Sequence, residues 1–369
     1  MELPPDLCKL VEQSIENNTA AEWSIKGQTA DDAVLCTANK TYSIRSIVLS
    51  NSVLVVTRPE DPMGGDDDED VVIRDTLHEV EVLELVPSVP KLQVLNGMLR
   101  GRVYDEGHED VGEDEDQETE DVRKEDERRT KRRRFTYDDA RETLQASDTE
   151  LDRGLRERRI LILDGELRPI APSYLTTILE LLLNSLVLLQ IPYTAAPVLD
   201  LTLALEDDHE INRKVTRQVM EWFGVIDAEV WSMNVNKVVG EIGLGVLRAH
   251  KDDPIPEPDF LSKWTNAVGD KFQDSVTLDL LLGNFLTHPP VDAFSNTPVL
   301  AYLPSSDLPT DPSARFADLF LTRARWKADD IAPFLSEICV DNKERDRLLL
   351  KYARAVTDKD GVWYTARAK

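Results

Sequence analysis

Four cations near the C-terminus have the spacing to contact phosphate groups: Lys343, Arg347, Lys351 and Arg354. At ~100° per residue they fall within roughly 80° of one face of a helix, and Leu349 lies opposite. In helix-turn-helix proteins the second helix enters the major groove or lies on phosphates, and a wing strand contacts the backbone beside it. The pattern therefore predicts a DNA-contacting helix, with a solvated surface face as the alternative.

Local charge supports a nucleic-acid role for this end of the chain. Residues 315–369 hold twelve basic and nine acidic residues, in a chain whose net charge is -27. That overall charge disfavours nonspecific DNA binding by the whole chain. Because Glu344 and Asp346 lie among the cations, we expect weak, sequence-independent, salt-sensitive binding. The predicted DNA-binding residues are Lys343, Arg347, Lys351, Arg354, Arg367 and Lys369.

The sequence gives little support for an enzyme. The five histidines are scattered, without the helical pairing typical of metal sites, and the three cysteines have neither disulfide nor metal-ligand spacing. Residues 240–245 contain three glycines but lack the Lys-Ser/Thr of a phosphate loop, so helix packing or a turn is the simpler interpretation. No Gly-x-Ser-x-Gly elbow is present, and the carboxylates lie mostly in solvated runs. We predict no catalysis, metal or cofactor.

Length and composition indicate several intracellular modules. A chain of 369 residues exceeds what one core usually serves, so two to four domains are expected. The longest apolar stretch, residues 178–189, is interrupted by Glu180 and is too short to span a membrane. The N-terminus lacks the basic and apolar regions of a secretory signal.

A charged segment separates two parts of the chain. Residues 105–121 hold eleven acidic residues and no Lys or Arg, and residues 123–134 then turn basic. Such a segment cannot form a core, so the sequence predicts a disordered linker. Its basic end, residues 128–134, predicts either a nuclear localisation signal or a merely charged linker.

Before the linker, short β-branched runs separated by turn residues predict strands. The runs lie at residues 33–37, 41–44, 52–57, 71–73 and 80–85, and one helix follows them. A small, incomplete barrel or sheet would expose edges that invite pairing with another chain. A heterodimerisation domain is our hypothesis, with a self-contained β domain as the alternative. The predicted partner-binding residues are Val34, Leu35, Tyr42, Val53, Val55, Val72 and Val82.

After the linker, helical periodicity dominates and one arrangement recurs. Residues 147–150 form a capping box, and residues 160–170 read as a hairpin around Asp164-Gly165. Near the end, residues 328–338 and 343–355 predict two helices, and residues 356–365 predict a wing. Helix, helix, hairpin is the winged-helix order.

The middle region is less regular, and we place a divergent winged-helix module there. Its predicted elements are helices at residues 212–223, 230–239 and 278–286 and a strand at residues 298–303. The predicted chain is therefore α+β, with an N-terminal β-rich, barrel-like docking domain, a disordered acidic and basic linker, and tandem winged-helix domains. The predicted boundaries are 1–102 for the β-rich heterodimerisation domain, 103–134 for the linker, and 135–206, 207–308 and 309–369 for three winged helices.

Short apolar signatures span most of the chain outside the linker and the acidic insertion at residues 66–70, and they are apolar rather than catalytic. They are Ala33-Val34-Leu35-Cys36-Thr37, Lys40-Thr41-Tyr42, Ser50-Asn51-Ser52, Trp222-Phe223-Gly224, Arg325-Trp326, Asp330-Ile331-Ala332-Pro333-Phe334, Leu349-Leu350-Lys351-Tyr352-Ala353-Arg354 and Tyr364-Thr365. Together these signatures resemble the DCC (defective in sister chromatid cohesion) family.

The resemblance implies a nuclear, non-catalytic subunit of the alternative replication factor C clamp loader. Residues 33–57 and 71–86 would dock the small chromosome-transmission-fidelity subunit and the C-terminal tail of the large loader subunit through a composite β-barrel. The winged helices would contact the catalytic subunit of DNA polymerase epsilon and DNA, supporting PCNA loading. The alternatives left open are a winged-helix transcription or chromatin factor and another winged-helix scaffold subunit.

Overall fold

The fold combines helices and open sheets in two compact units. One unit comprises Met1–Leu92 with Arg141–Leu151, and the other comprises Gln93–Ala140 with Asp152–Lys369. The computed structural model describes residues 3–20, 23–29, 31–48, 51–57, 72–77, 81–107, 134–289, 297–359 and 361–367. Most of the predicted linker, its basic tract before Arg134, and the insertion at residues 66–70 lie outside the described residues.

The first unit is a helix with two antiparallel sheets. Strands β1, β2, β3 and β6 form an open sheet in the order β1-β2-β3-β6, and β4 and β5 form a separate pair. The core joins Leu7 of the helix to Leu35 and Tyr42 of the sheet. The elements are α1 (Pro5–Glu16), β1 (Ser24–Lys26), β2 (Val34–Cys36), β3 (Thr41–Val48), β4 (Val53–Thr57), β5 (Val72–Leu77) and β6 (Glu81–Pro87). Within the described part of this unit, no strand closes the sheet into a barrel.

The predicted capping box at residues 147–150 is confirmed, and it forms a buried polar cluster. The Glu150 carboxylate accepts from the Ser147 backbone N–H at 3.1 Å, and the Ser147 hydroxyl accepts from the Glu150 N–H at 3.3 Å. The hydroxyls of Ser147 and Thr41 also donate to Glu150, at 2.8 and 2.6 Å. All three residues are buried. The box therefore also ties the start of the helix to β3.

The described residues from 93 onward are mainly helical. The predicted hairpin at residues 160–170 is confirmed, with positive φ at Asp164 (49°) and Gly165 (84°), as a two-residue turn requires. The elements between residues 93 and 233 are α2 (Val94–Met98), α3 (Tyr137–Thr143), α4 (Asp148–Glu157), β7 (Ile160–Leu163), β8 (Glu166–Pro169), α5 (Pro172–Leu188), β9 (Ala196–Pro197), α6 (Val198–His209), α7 (Arg213–Trp222), β10 (Gly224–Asp227) and β11 (Val230–Met233).

The remaining elements continue the same alternation of helices and short strands. They are α8 (Val235–Arg248), β12 (Ile255–Pro256), α9 (Glu257–Val268), 3₁₀ turns at Gln273–Ser275 and Leu278–Leu281, β13 (Phe285–His288), β14 (Val299–Tyr302), a 3₁₀ turn at Ser305–Asp307, α10 (Pro312–Thr322), β15 (Arg325–Lys327), α11 (Ala328–Ile331), a 3₁₀ helix at Ala332–Ile338, α12 (Asn342–Tyr352), β16 (Ala353–Asp358) and β17 (Gly361–Ala366). No described helix is both long and apolar enough to cross a bilayer.

One topology occurs three times: a helix, a short strand, two or three helical segments and a hairpin. The first repeat runs from α5 to β11, the second from α8 to β14 and the third from α10 to β17. In each repeat the first strand pairs with the last, giving the sheet orders β10-β11-β9, β12-β14-β13 and β15-β17-β16. The predicted domain boundary between residues 206 and 207 falls inside α6.

Of the three helices predicted in the middle region, that at residues 212–223 is confirmed as α7, that at residues 230–239 is helical only from residue 235 onward, and that at residues 278–286 is wrong. Residues 230–233 form a strand, because Ala228 and Glu229 both have positive φ (44° and 62°) and turn the chain into a hairpin. The helix predicted at residues 278–286 is a 3₁₀ turn followed by β13, and Gly283 (φ 85°) breaks it. The strand predicted at 298–303 is confirmed as β14.

Tryptophans anchor the cores of the repeats. The buried indoles of Trp231, Trp264 and Trp326 each donate to a backbone carbonyl, at 2.8, 2.8 and 2.9 Å. Gly243 packs so closely on Trp264 that a Cβ would overlap the indole, and Gly245 is similarly close to Thr176. The helix-packing interpretation is thus confirmed for these two glycines.

Candidate partner-binding arm and basic helix

In the first unit, two stretches of the chain, residues 42–57 and 72–87, pair with each other in two successive antiparallel ladders. Strands β3 and β6 pair from Tyr42↔Pro87 to Val48↔Glu81, and β4 and β5 resume the pairing from Val53↔Leu77 to Thr57↔Val72. Only the inner end of β3 has a further strand beside it, since β2 pairs with residues 41–43. We call β4, β5 and the outer ends of β3 and β6 (residues 46–48 and 81–83) the β arm.

The β arm is apolar on both faces and exposed to solvent. Every described side chain of β4 and β5 is exposed. Because successive side chains of a strand point to opposite faces, the consecutive apolar residues 53–56 place apolar groups on both. Exposed fractions lie between 37% and 66% for Ile47, Val48, Val53, Leu54, Val55, Val56, Val72, Ile73, Leu77, Val82 and Leu83.

A two-stranded ribbon of this kind is marginally stable alone in water. Among the described residues, the outer edges of β4 and β5 have no further strand to pair with. Exposed strand edges and contiguous apolar surface mark sites of pairing with another chain. The β arm therefore has the properties of a surface that a partner covers.

The structure divides the predicted partner-binding residues into two groups. Val53, Val55, Val72 and Val82 are exposed in the β arm. Val34, Leu35 and Tyr42 are instead buried in the first unit, where Leu35 and Tyr42 are paired across β2 and β3 and pack on Leu7. Their side chains stabilise the chain's own core and are not available to a partner. Sequence reasoning missed the equally exposed neighbours Leu54, Val56, Ile73 and Leu83.

The basic helix predicted near the C-terminus is α12. Asp341 caps it by accepting from the Glu344 N–H at 2.7 Å, and the Glu344 carboxylate accepts from the Val340 N–H at 2.7 Å. These two acids therefore serve the helix end. On the opposite face, Leu349 is buried and Tyr352 stacks on Phe316 with 5.3 Å between ring centroids.

Three of the four cations of α12 are exposed, and the fourth, Arg345, pairs with Asp346 at 3.1 Å. Lys343, Arg347 and Lys351 recur every four residues along one exposed face. Within the part of the chain that the structure describes, no carboxylate forms an ion pair with them or with Arg354. Lys351 places its ammonium 5.0 Å from the centre of the Tyr352 ring. The face therefore keeps its positive charge for a ligand.

The corresponding helix of the first repeat, α7, is also basic but is neutralised. Arg213 pairs with Glu206, Lys214 pairs with Asp164 at 2.5 Å, and Arg217 pairs with Glu229 at 2.8 Å. The hydrogen bond from Lys214 lowers the pKa of the Asp164 carboxyl, and that from Arg217 lowers the pKa of the Glu229 carboxyl. α7 and α12 thus share a basic sequence but differ in available charge.

Two predicted cations, Arg354 and Arg367, differ from the expected arrangement. Arg354 lies in β16, because the helix ends at Tyr352 instead of Ala355. Arg367 donates to the Leu350 carbonyl at 2.9 Å, which places its charge at the C-terminal end of α12, where it stabilises the helix. Lys369 lies outside the described residues.

Arg315, counted in the basic excess, is fully buried in the third repeat. Its charge is therefore not part of the surface. The sequence alone offers no signal for this burial, because the groups that surround Arg315 come from several separate segments.

Three of the five histidines, His209, His250 and His288, lie among the residues that the structure describes. The described residues contain no group of three or more His, Cys, Asp or Glu side chains placed to hold a metal ion. His250 lies 3.0 Å from the Lys263 ammonium at the surface, in a shallow cavity of ≈ 320 Å³. His78 and His108 lie outside the described residues.

Trp222-Phe223-Gly224, one of the resemblance signatures, is a packing motif. Trp222 and Phe223 are buried, and a Cβ at Gly224 would overlap the Trp231 indole. The motif therefore lets β10 lie directly on the core of the first repeat.

Comparison with known proteins identifies the family. Residues 1–335 match the family described as sister chromatid cohesion protein Dcc1, a match that ends before α12. The chain is 24% identical over 381 residues to sister chromatid cohesion protein DCC1 of Saccharomyces cerevisiae, covering 96% of this chain and 92% of the relative. It is 23% identical over 376 residues to the Homo sapiens protein of that name, covering 100% and 88%. It is 24% identical over 366 residues to the probable DCC1 of Dictyostelium discoideum, covering 94% and 89%. The chain therefore belongs to the Dcc1 family of sister chromatid cohesion proteins.

Proposed function

We propose that this protein is a non-catalytic, nuclear subunit of the alternative clamp-loader complex and acts in sister chromatid cohesion during replication. The observation that carries the proposal is the β arm, which exposes apolar residues on both faces and in which no other described strand pairs with the edges of β4 and β5. The β arm would dock the small chromosome-transmission-fidelity subunit and the tail of the large loader subunit. ATP hydrolysis would belong to other subunits.

Strand completion is the docking mode that this surface favours. Added strands would satisfy the open N–H and C=O groups of β4 and β5, and their side chains would cover Val53 and Val55 on one face and Leu54 and Val56 on the other. A single globular surface could cover only one face. A composite barrel that encloses the β arm covers both.

We further propose that the three repeats are winged-helix modules. The repeated order of elements supports this, as does the pairing of the first strand with the last in every sheet. By this proposal the modules link the loader to the catalytic subunit of DNA polymerase epsilon and place it at the replication fork, where it supports PCNA loading.

DNA contact is assigned to the third module. In its α12, Lys343, Arg347 and Lys351 form no ion pair with any described carboxylate, whereas the basic residues of α7 are neutralised. These residues suit phosphates and offer little for reading base edges, so binding should be independent of sequence. Three phosphate contacts predict that log K falls with log salt at a slope of about -2.7 on duplex DNA.

Co-purification tests the docking proposal. The full chain is co-expressed with the small subunit and the large-subunit tail, and Val53→Asp with Val55→Asp is compared with Val225→Asp. Val225 is the same residue type and is 68% exposed, but lies on β10 of the first repeat. We expect the β-arm variant to lose both partners and the control to retain them. Retention of both partners by the β-arm variant would refute the docking proposal.

Titration of labelled duplex DNA at several salt concentrations tests the nucleic-acid proposal. Replacing Lys343, Arg347 and Lys351 by alanine should weaken binding by about 500-fold at 0.1 M salt, since each of three phosphate contacts contributes roughly 0.9 log units relative to 1 M. The matched control replaces the three cations of α7, namely Arg213, Lys214 and Arg217. An equal loss in both variants would contradict the assignment to the third module.

A further inference from the structure

The outer edge of β16 is the longest open strand edge of the three repeats. The sheet order β15-β17-β16 leaves one side of β16 unpaired among the residues described. Five of its six residues are exposed, whereas β10 alternates between half-buried and exposed residues and β13 exposes only Thr287. An open edge offers a row of backbone donors and acceptors to an added strand.

A groove lies where this strand begins. It has a volume of ≈ 390 Å³ and is lined by Leu350, Ala353, Arg354 and Arg367. Leu350 is 73% exposed and provides an apolar contact beside two guanidinium groups. Arg367 is held in place because it donates to the Leu350 carbonyl at 2.9 Å. The groove thus combines an apolar floor with fixed positive charge.

We infer that β16 and this groove form a strand-addition site for an extended acidic peptide. The peptide backbone would pair with the open edge, and an apolar side chain would contact Leu350. A carboxylate would bind the guanidinium groups of Arg354 and Arg367, which favour paired, planar hydrogen bonds to carboxylates.

Charge selects among possible strands. A charged side chain on an edge strand normally discourages pairing. Arg354 should therefore repel basic segments and admit those with Asp or Glu opposite it. Because alternate residues share a face, the side chain two positions along the added strand would meet Val356. The expected ligand alternates an acidic residue with β-branched or apolar residues. None of these steps involves nucleic acid, so the inference does not depend on DNA binding.

Selection from a phage-displayed library of random twelve-residue peptides on the immobilised full chain tests this inference. We expect enriched peptides to carry the acidic and apolar alternation, and their Kd to rise about tenfold or more for Arg354→Glu. A fresh selection on Arg354→Glu should enrich Lys or Arg instead. Damage to the fold would abolish selection but could not reverse its charge.

Two further variants locate the site. Val356→Asp, on the open edge, should lose the selected peptides, whereas Val225→Asp, on the edge of the first repeat, should bind them as wild type does. The inference is overturned if no peptide family emerges, if the same family is enriched on wild type and Arg354→Glu, or if Val225→Asp abolishes binding as completely as Val356→Asp.

Discussion

Arg315 is the residue on which the stability of the third repeat should depend most. It is fully buried, and all five of its hydrogen bonds go to acceptors in the segments around α10 and the 3₁₀ helix before α12. The acceptors are the carbonyls of Pro309 (2.7 Å), Phe334 (2.7 Å), Ser305 (3.0 Å) and Leu308 (3.1 Å) and the Glu337 carboxylate (3.0 Å).

Arg315→Met keeps much of the side-chain volume and removes every donor. Breaking a buried ion pair by removing one partner costs about 3–5 kcal/mol, and a buried acceptor left without a donor costs about 1–3 kcal/mol. The expected loss of stability is smaller than the sum of these two penalties, because the Glu337 side chain is 31% exposed and can be rehydrated. We expect the third repeat to lose about 3–5 kcal/mol. Arg315→Lys should lose less, because it keeps the charge and part of the hydrogen bonding.

Hydrogen exchange measured by mass spectrometry is the suitable assay, because it reports the opening free energy of each segment separately. A melting temperature would combine the stabilities of the two units in one value. Protection should fall in peptides covering α10 and residues 332–338. Arg345→Met is the control, since Arg345 pairs with Asp346 at the surface and should change stability by less than about 0.5 kcal/mol. A loss below about 1 kcal/mol in Arg315→Met would refute the reasoning.

Three other predictions follow from packing and burial. Gly243→Ala should lower the free energy of unfolding by about 1–3 kcal/mol in urea titrations, because the new methyl group overlaps the Trp264 indole. Gly240→Ala is the control and should be neutral or slightly stabilising, because its Cβ would lie 3.5 Å from the nearest atom. Equal effects of the two variants would contradict the packing. Glu150→Ala should lower stability by about 2–3 kcal/mol, because it leaves buried hydroxyl and N–H donors without an acceptor. The loss should appear as faster amide hydrogen exchange at the start of α4, and unchanged exchange there would count against the cluster. Burial raises the pKa of Cys339 to about 11, so its thiol stays protonated at pH 8. Labelling with iodoacetamide should therefore remain slow until the pH approaches 11 or the repeat unfolds. Rapid labelling of the folded chain at pH 8 would contradict this prediction.

Local features were predictable from the residues themselves. The capping box at residues 147–150 and the turn at Asp164-Gly165 depend on neighbours within a few positions, so their side chains and backbone angles specify the structure. The middle region was harder, because apolar residues 230–233 fit either a helix or a strand. The positive φ angles at Ala228 and Glu229 decide for the hairpin, and neither residue type signals such a turn.

The sequence by itself determined which segments carry cations, where the β-branched runs lie and which chemistry the chain lacks motifs for. Only the tertiary structure decided which of those groups are available. Lys214 is neutralised by Asp164, fifty positions away, while Lys343 keeps its charge. Val53 is exposed in the β arm, whereas Tyr42 packs on Leu7 in the core. The physical reason is that ion pairing and burial depend on distances between residues remote in the chain, and residue type and local spacing do not fix those distances.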